Sequence, residues 1–237
     1  MIYFFGDTHG CFGHVIDVVG QDHPAAVVFL GDLQAQRPLE IELASILGMT
    51  EVWYIHGNHD TDSEADYDNL FGSALADRNL HGRVVEIDGL RIAGLGGIFR
   101  GQVWAPPAEW VHERPEDFAA RCGKGNLWRG GMPRKHRSSI FPADYFSLVG
   151  QRADILVTHE APSCHPHGFD AIDELGRSLG VSKAFHGHHH DRLDYSSHRQ
   201  RLGFDAFGVG FCGVSDANGR TVRPGDFDSA RATRKLL

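Results

Sequence analysis

The stretch Met1-Ile2-Tyr3-Phe4-Phe5-Gly6-Asp7-Thr8-His9 joins an apolar run to a group of polar residues through a glycine. Two later stretches repeat this arrangement, with Gly31-Asp32 after Ala25–Leu30 and His56-Gly57-Asn58-His59 after Val52–Ile55. Short apolar runs that end at turn residues are typical of buried strands. Segments with helical periodicity lie between these runs, so the sequence predicts an α/β fold that begins with parallel strands.

A second group of apolar runs predicts another sheet. Asp88-Gly89 separates two apolar runs and is a strong signal for a two-residue β-hairpin. Further runs at Asp154–Thr158 and Lys183–Phe185 are consistent with strands. Together these runs predict a domain over residues 1–215 that consists of two packed, mixed sheets with flanking helices.

Two segments depart from this pattern. Residues 96–139 show no regular spacing of hydrophobic residues and contain paired glycines and paired prolines. Structureless loops of that length are uncommon in compact domains and are often functional, so we expect a functional insertion here. Residues 216–237 are polar and are predicted to form a loosely held C-terminal tail.

The composition is that of a globular protein. Of the 237 residues, 41% are hydrophobic and 23% are charged, which excludes collagen-like, coiled-coil and largely disordered chains. The net charge of −8 argues against nonspecific nucleic-acid binding by the whole surface. No apolar run reaches the ~20 residues of a membrane helix, and the N-terminus lacks the features of a secretory signal. The four cysteines show no C-x-x-C spacing, so we expect reduced thiols and a cytoplasmic location. We expect no association with a membrane and no obligate protein partner.

Potential metal ligands follow five of the predicted strands. The polar residues of these turns are Asp7, His9, Asp32, Asn58, His59, Asp60, His159, Glu160 and His188–His190. Binding sites in open α/β sheets form at the carboxyl ends of the strands, so these turns are expected to converge at one edge. Carboxylate oxygens, an amide carbonyl and imidazoles suit Mn, Fe, Zn, Ni or Co, and the absence of cysteine from the turns argues against a structural zinc site.

The same residues resemble a known family, the calcineurin-like metallophosphoesterases. The matching blocks occur in the family's order and are Gly6-Asp7-Thr8-His9, Gly31-Asp32, Gly57-Asn58-His59-Asp60, His159 and Gly187-His188-His189-His190. The resemblance implies a four-layer αββα sandwich of two mixed sheets, which agrees with the strand pattern. It also implies a phosphoester hydrolase with two divalent metal ions, of which manganese is the first candidate.

The resemblance further implies a role for each residue of these blocks. One metal would be held by Asp7, His9, Asp32 and His190, and the other by Asp32, Asn58, His159 and His188. Asp32 would bridge the two metals, and a hydroxide between them would attack the phosphorus. His59 would face the substrate as the catalytic residue and donate a proton to the leaving group.

One position departs from the family pattern. Many members, above all the protein Ser/Thr phosphatases, continue the second block as Gly-Asp-x-x-Asp-Arg-Gly, whereas this chain has Ala35 in place of the second aspartate. That aspartate would orient the catalytic histidine, so we expect His59 to be oriented instead by solvent or by Asp60. The missing residues also argue against a phosphoprotein phosphatase. Arg37 is either a phosphate contact or a solvated surface residue.

The insertion contains a segment, Arg121–Arg137, that has six basic residues and no Asp or Glu; we call it the basic loop. Basic residues together with an aromatic ring suit phosphate contact and base stacking. The candidate substrate-binding residues are Arg37, Arg100, Trp128, Arg134, Lys135 and Arg137. The alternative is a solvated loop that its tryptophans attach to the body of the protein.

Residues 90–99 and the insertion after them also resemble the RNA lariat debranching enzymes, which carry a substrate-recognition loop at the corresponding place. This short match favours an anionic phosphodiester substrate, such as a nucleotide or a short nucleic acid. The alternatives are a phosphomonoesterase that acts on a small molecule or a phosphoprotein, and a non-catalytic metal-binding scaffold.

Overall fold

A computed structural model describes residues 1–229 of the chain and shows two five-stranded sheets. The strands are β1 (Ile2–Phe5), β2 (Ala26–Leu30), β3 (Glu51–Ile55), β4 (Arg83–Ile87), β5 (Leu90–Leu95), β6 (Ile155–Thr158), β7 (Lys183–His186), β8 (Asp205–Gly208), β9 (Val214–Asp216) and β10 (Thr221–Arg223). The first sheet has the order β10-β9-β1-β2-β3, and the second has the order β4-β5-β6-β7-β8.

The helices of the described residues are short. They are α1 (Gly13–Asp22), α2 (Leu39–Glu42), α3 (Glu64–Phe71), α4 (Pro115–Arg121), α5 (Pro142–Leu148), α6 (Asp170–Leu179) and α7 (Arg199–Leu202). Single 3-10 turns lie between them, and two of these turns, His59–Thr61 and Arg134–Ser138, pack against each other. This contact brings the insertion to the turn that carries His59.

Strand direction explains where polar residues collect. β1, β2 and β3 are parallel to one another, and so are β5, β6, β7 and β8. Only β4 in the second sheet, and β9 and β10 in the first, run antiparallel to their neighbours among the described strands. The carboxyl ends of the parallel strands therefore lie at a common edge of each sheet.

Three hydrophobic cores separate four layers, which confirms the predicted αββα sandwich. The two faces of β1 show why: Ile2 and Phe4 point into the core between the sheets, whereas Tyr3 and Phe5 point into the core under α1. The outer core of the second sheet packs against α5 and α6. Because the central strands are buried on both faces, their sequences are apolar throughout and do not alternate between apolar and polar residues.

Two segments outside the metal-ligand turns test the local predictions. Asp88 and Gly89 both have positive φ, of 47° and 76°, and connect β4 to β5, so the hairpin prediction is confirmed. The expectation of a loosely held tail from residue 216 is wrong over residues 216–229, because β10 pairs with β9 at the edge of the first sheet. The rest of the predicted tail, residues 230–237, lies outside the described residues.

The insertion over residues 96–139 contains helical structure, although its hydrophobic residues show no helical spacing in the sequence. It includes α4 and two 3-10 turns, and Trp104 is only 7% exposed in the core beneath α5 and α6. A tryptophan thus attaches part of the insertion to the body of the protein. Over residues 1–229, no helix has both the length and the apolar character that crossing a membrane requires.

Candidate metal centre

The turns after β1, β2, β3, β6 and β7 converge at one edge of the sandwich, as the sequence predicts. Their potential ligand atoms form two groups, and within each group the atoms lie within 4.8 Å of one another. The first group contains Asp7, His9, Asp32 and His190, and the second contains Asp32, His159 and His188. Asn58, predicted for the second group, places its Oδ1 atom 3.3 Å from Nε2 of His159. All seven predicted metal ligands therefore lie together.

Asp32 occupies the centre of this cluster. Its side chain is 1% exposed, and its Oδ1 atom accepts a hydrogen bond of 2.8 Å from the backbone N–H of His59. Its Oδ2 atom is buried without a hydrogen-bond partner, although Nε2 of His159 lies 3.3 Å away and Nε2 of His9 lies 3.9 Å away. An unpartnered buried carboxylate oxygen is costly, so its position between two imidazoles fits a cation on either side.

Two imidazoles are held in the orientation that metal ligands require. Nδ1 of His159 donates to the carbonyl of Leu30 at 2.7 Å, which leaves Nε2 free to bind a metal. Nδ1 of His9 lies 2.5 Å from Oε1 of Gln34, and its Nε2 faces Nε2 of His190 at 3.0 Å. Metal-bound histidines usually donate their second N–H in this way. The close approach of these two ring nitrogens, with the His9 ring held by Gln34, fits a shared cation.

Asp7 joins the first and last turns of the cluster. It is fully buried, and both of its carboxylate oxygens accept the backbone N–H of His188 at 3.0 Å. This bond ties the turn after β7 to the turn after β1. Asp7 therefore fixes the separation of ligands that are about 180 residues apart in the sequence.

The backbone at the cluster is strained. His9, Asp32, His188 and His190 all have positive φ, between 42° and 69°. Such conformations are unfavourable for residues with a Cβ atom, by about 1–3 kcal/mol each, and they concentrate at functional sites. The surrounding fold holds four of the seven predicted ligands in this state.

Glycines allow the backbone turns to approach the ligands. Gly31 has a φ of 101°, and a Cβ atom there would lie 2.4 Å from Nδ1 of His159. A Cβ atom at Gly57 would lie 2.2 Å from Oδ1 of Asp32 and 2.6 Å from Cε1 of His159. Any larger residue at these two positions would displace a predicted ligand.

The electrostatics of the cluster connect proton binding to metal binding. Burial alone would lower the pKa of His159, but the charges of Asp32 and Asp7 raise it to about 10. Burial raises the pKa of Asp7 to about 6, and the charge of His159 opposes this shift. For Asp32 burial alone would raise the pKa, but the charge of His159 and the hydrogen bond from the His59 N–H together lower it. A proton on His159 thus balances the buried carboxylates, and a cation has to displace it.

His59 lies beside the cluster and outside both ligand groups. Its ring is 5.3 Å from the ring of His9, and its side chain is 43% exposed. Its Nδ1 atom is hydrogen-bonded to Oδ2 of Asp62 at 2.5 Å. Partial burial alone would lower the pKa of His59, but the bond to Asp62 and the charge of Asp32 raise it above its usual value.

The expectation that Asp60 orients His59 is wrong, because the protein partner of the His59 ring is Asp62. The Asp60 carboxylate is buried and accepts the backbone N–H groups of Gly57 and Gln34, each at 2.8 Å, so it stabilises two ligand-bearing turns instead. Sequence reasoning missed Asp62, whose signal is its spacing: residues i and i+3 of one 3-10 turn lie on the same side.

Ala35 and Arg37 do not contribute to the cluster. Ala35 is 1% exposed in the core under α1, and its methyl group offers no hydrogen bond to His59. The Arg37 guanidinium forms an ion pair of 2.9 Å with Glu42 and is 61% exposed. Arg37 therefore corresponds to the surface alternative rather than to a phosphate contact.

The basic loop packs on the side of His59, but most of its predicted substrate contacts bind protein atoms. Arg134 donates to the carbonyls of Thr61 and Asp62. Arg137 donates to the hydroxyl of Tyr67 and stacks over Trp128 at 5.0 Å. These side chains attach the loop to the protein.

Trp128 is attached to the protein in the same way, whereas Arg100 and Lys135 have fewer protein partners. Trp128 donates its indole N–H to Glu64 at 3.1 Å. Arg100 donates to the hydroxyl of Ser138, next to the turn that carries His59. Lys135 is exposed and lines an open cavity in the insertion. Lys135 and Arg100 therefore remain the candidates for contact with an anionic substrate.

Comparison with known proteins agrees with this geometry. The family model described as calcineurin-like phosphoesterase matches residues 1–192. An uncharacterized protein of Haemophilus influenzae is 42% identical over 219 residues, which are 92% of this chain and 95% of that protein. The crystal structure of TT1561 of Thermus thermophilus has a TM-score of 0.57 and 13% identity, with 93% of this chain and 98% of that chain covered. A second solved structure has a TM-score of 0.52 and 14% identity, with 94% of this chain and 98% of that chain covered. At such low identity the structural matches show the fold alone.

Proposed function

Because the chain belongs to the calcineurin-like phosphoesterase family, we propose that it hydrolyses phosphoester bonds with two divalent cations bound on either side of Asp32. The observation that carries this proposal is the buried Oδ2 atom of Asp32, which has no hydrogen bond and lies between the Nε2 atoms of His9 and His159. A scaffold that only binds metal does not explain why the partly exposed His59 is oriented beside the cluster.

The proposed chemistry divides between the cations and the protein. Two divalent cations, when bound, supply Lewis acidity towards a phosphoryl oxygen and activate water for attack at neutral pH. His59 has its Nδ1–H directed at Asp62, so its Nε2 atom holds the proton that the departing oxygen receives. Asp62 stabilises the imidazolium before the transfer and keeps the ring in one orientation.

The choice of metal and the location follow from the ligand types and the cysteines. Imidazoles with carboxylates and one amide suit Mn, Fe, Zn, Ni or Co, and the family resemblance makes Mn the first candidate among them. We propose a cytoplasmic location, because the cysteines are all unpaired, as is usual where thiols stay reduced. These free cysteines are Cys11, Cys122, Cys164 and Cys212.

For the substrate we propose a phosphodiester or a nucleotide, with phosphomonoesters as the alternative. Arg121 and Lys135 line the cavity of about 580 Å³ in the insertion, and no Asp or Glu lines it. A negatively charged group beyond the reacting phosphate would be attracted to these two cations. We expect a small phosphate ester, which carries no such additional group, to gain nothing from them.

The test of the proposed function is turnover of two chromogenic esters by protein that is stripped of metal and reloaded with Mn(II). Hydrolysis of bis(p-nitrophenyl) phosphate in preference to p-nitrophenyl phosphate supports a diesterase, and the reverse preference supports the monoesterase. Absence of turnover with every divalent metal, despite stoichiometric binding, would support the scaffold.

The substrate proposal has its own test. The double variant Arg121→Met, Lys135→Met should raise KM for nucleotide substrates and leave the small chromogenic esters unaffected. Arg114→Met is the matched control, because it removes a charge of the same insertion that does not line the cavity. If the control and the double variant change KM equally, the cavity does not bind substrate.

A further inference from the structure

We propose that Arg134 is a positioning residue that fixes the turn carrying His59, so that this residue of the basic loop supports the catalytic group and does not contact the substrate. The inference rests on the proposed function, in which His59 donates the proton. It concerns the basic loop of this chain and the position at which Ala35 departs from the family pattern.

The contact between Arg134 and the turn is bidentate. Its Nε atom donates to the carbonyl of Thr61 at 3.1 Å, and its Nη2 atom donates to the carbonyl of Asp62 at 2.7 Å. The guanidinium is a rigid planar fork, so two bonds to successive carbonyls restrict both the position and the tilt of the turn. Lysine, with a single ammonium group, cannot reproduce this geometry.

A second connection holds the same turn. The hydroxyls of Thr61 and Ser138 are hydrogen-bonded at 2.8 Å, and Ser138 also accepts a bond of 3.2 Å from Arg100. Both hydroxyls are buried, so water does not compete for these bonds. The turn His59–Thr61 is therefore fixed by the segment Arg134–Ser138 through backbone and side-chain bonds alike.

This turn needs external support because its own orienting pair is exposed. The side chains of His59 and Asp62 are 43% and 55% exposed and belong to one short turn. That hydrogen bond keeps the two side chains together, and the bond from the His59 N–H to Oδ1 of Asp32 ties the start of the turn to the metal cluster. The end of the turn, at Thr61 and Asp62, is the part that Arg134 holds. Ala35 offers no polar side chain in place of the aspartate of the family pattern, and its methyl group is buried in the core under α1.

The loop that carries Arg134 is itself firmly attached. Arg129 forms ion pairs with Asp68 and Glu64, and Trp128 donates to Glu64. Both acidic residues lie on α3, the helix that begins directly after the His59 turn. Arg134 can thus transmit the rigidity of this helix to the turn, since the loop and α3 are joined at several points.

Arg129 provides a matched control for Arg134. Both arginines belong to the basic loop and both stack near Trp128, at 4.2 and 6.0 Å. The Arg129 guanidinium donates to Asp68 and Glu64 on α3, whereas Arg134 donates to the carbonyls of the His59 turn. Arg129→Met therefore removes the same charge and a loop attachment without touching the turn.

The experiment compares Arg134→Met, Arg134→Lys and Arg129→Met in Mn(II)-loaded protein. Misplacement of a catalytic group by about 1 Å costs up to about 100-fold in rate. We expect Arg134→Met to lower kcat by about 10- to 100-fold on phenyl phosphate esters, with KM nearly unchanged. The loss should be smaller on p-nitrophenyl esters, whose leaving group needs no proton. Arg134→Lys should recover little, and Arg129→Met should keep kcat within about threefold.

A double-mutant cycle with His59→Gln identifies the route of the effect. If Arg134 acts through His59, then Arg134→Met should cause no further loss of kcat in the His59→Gln background. An equal loss in both backgrounds would overturn the proposal. So would a rise in KM at constant kcat, which is the signature of a substrate contact.

A measurement that does not depend on turnover separates this proposal from the proposed function. Amide hydrogen exchange over residues 59–62 should accelerate in Arg134→Met and not in Arg129→Met. Unchanged exchange in Arg134→Met would refute the positioning role even in an active enzyme. Failure of the wild-type protein to hydrolyse any ester with any metal would refute the proposed function, whatever the exchange data show.

Discussion

Gly57→Ala is expected to damage the metal centre without altering any ligand. The new Cβ atom would lie 2.2 Å from Oδ1 of Asp32, 2.5 Å from the Asp32 nitrogen and 2.6 Å from Cε1 of His159. Ordinary contacts of a carbon atom are at about 3.5 Å, so these groups would have to move apart by roughly 1 Å. Asp32 and His159 have little room to move, because both are buried and hydrogen-bonded.

The size of the effect follows from this displacement. A shift of about 1 Å in the shared carboxylate should lower activity by on the order of 100-fold. Overpacking of a buried site costs about 1–3 kcal/mol of folding stability, which corresponds to a decrease in Tm of about 2–10 °C for a chain of this length. The bound metal should fall below the wild-type stoichiometry, because one carboxylate serves both positions.

The assay combines metal analysis of dialysed protein, hydrolysis of p-nitrophenyl phosphate and calorimetric Tm. Gly20→Ala in α1 is the control, since a Cβ atom there has no neighbour within 4 Å. It should retain metal and activity and gain about 0.5–1 kcal/mol of stability. If Gly57→Ala binds metal normally and keeps activity within about threefold, the crowded arrangement around Asp32 is not what holds the site.

Three further predictions concern individual groups of the centre. Asp32→Asn should lose metal from both positions and most activity while the circular dichroism spectrum stays native; full metal content with normal turnover would exclude a bridging role. His59→Gln should keep its metal content and lose about 10²–10⁴-fold in kcat, with a smaller loss on esters with acidic leaving groups; equal losses on nitrophenyl and alkyl esters would count against proton donation. Because the pKa of His159 is raised to about 10 in the metal-free protein, Mn(II) binding near neutral pH should release close to one proton, and affinity should increase with pH. Below about pH 6 Asp7 also takes up a proton, so the dependence should steepen there. Titration calorimetry in buffers of different ionisation enthalpy measures this release, and identical heats would contradict it.

The strands and the ligand set were predictable from the sequence because both depend on local patterns. A strand buried on two faces has to be apolar throughout, and the chain marks its end with a glycine and a polar residue, as at Gly6 and Gly31. The order of such blocks and the parallel direction of the strands place the ligands at one edge. The clustering of the seven predicted ligands follows from this rule.

The predictions for the insertion and the tail were less successful because no short-range pattern records their contacts. Arg134 and Arg137 read as free cations in the sequence, yet their hydrogen-bond acceptors, Thr61, Asp62 and Tyr67, lie about 70 residues earlier. The polar composition of residues 216–229 likewise conceals β10, since an edge strand needs only one apolar face.

The sequence by itself determined the fold class and the polar residues that follow the strands, because apolar runs and the residues that end them act locally. The choice of seven potential metal ligands among those residues is what the family resemblance implies. The tertiary structure alone decided what orients His59. A buried methyl at Ala35 removes the partner that the family pattern leads one to expect, and Asp62 and Arg134 replace it from the same turn and from a distant loop. A hydrogen bond between residues remote in sequence depends on the positions of both backbones, which composition and spacing do not specify.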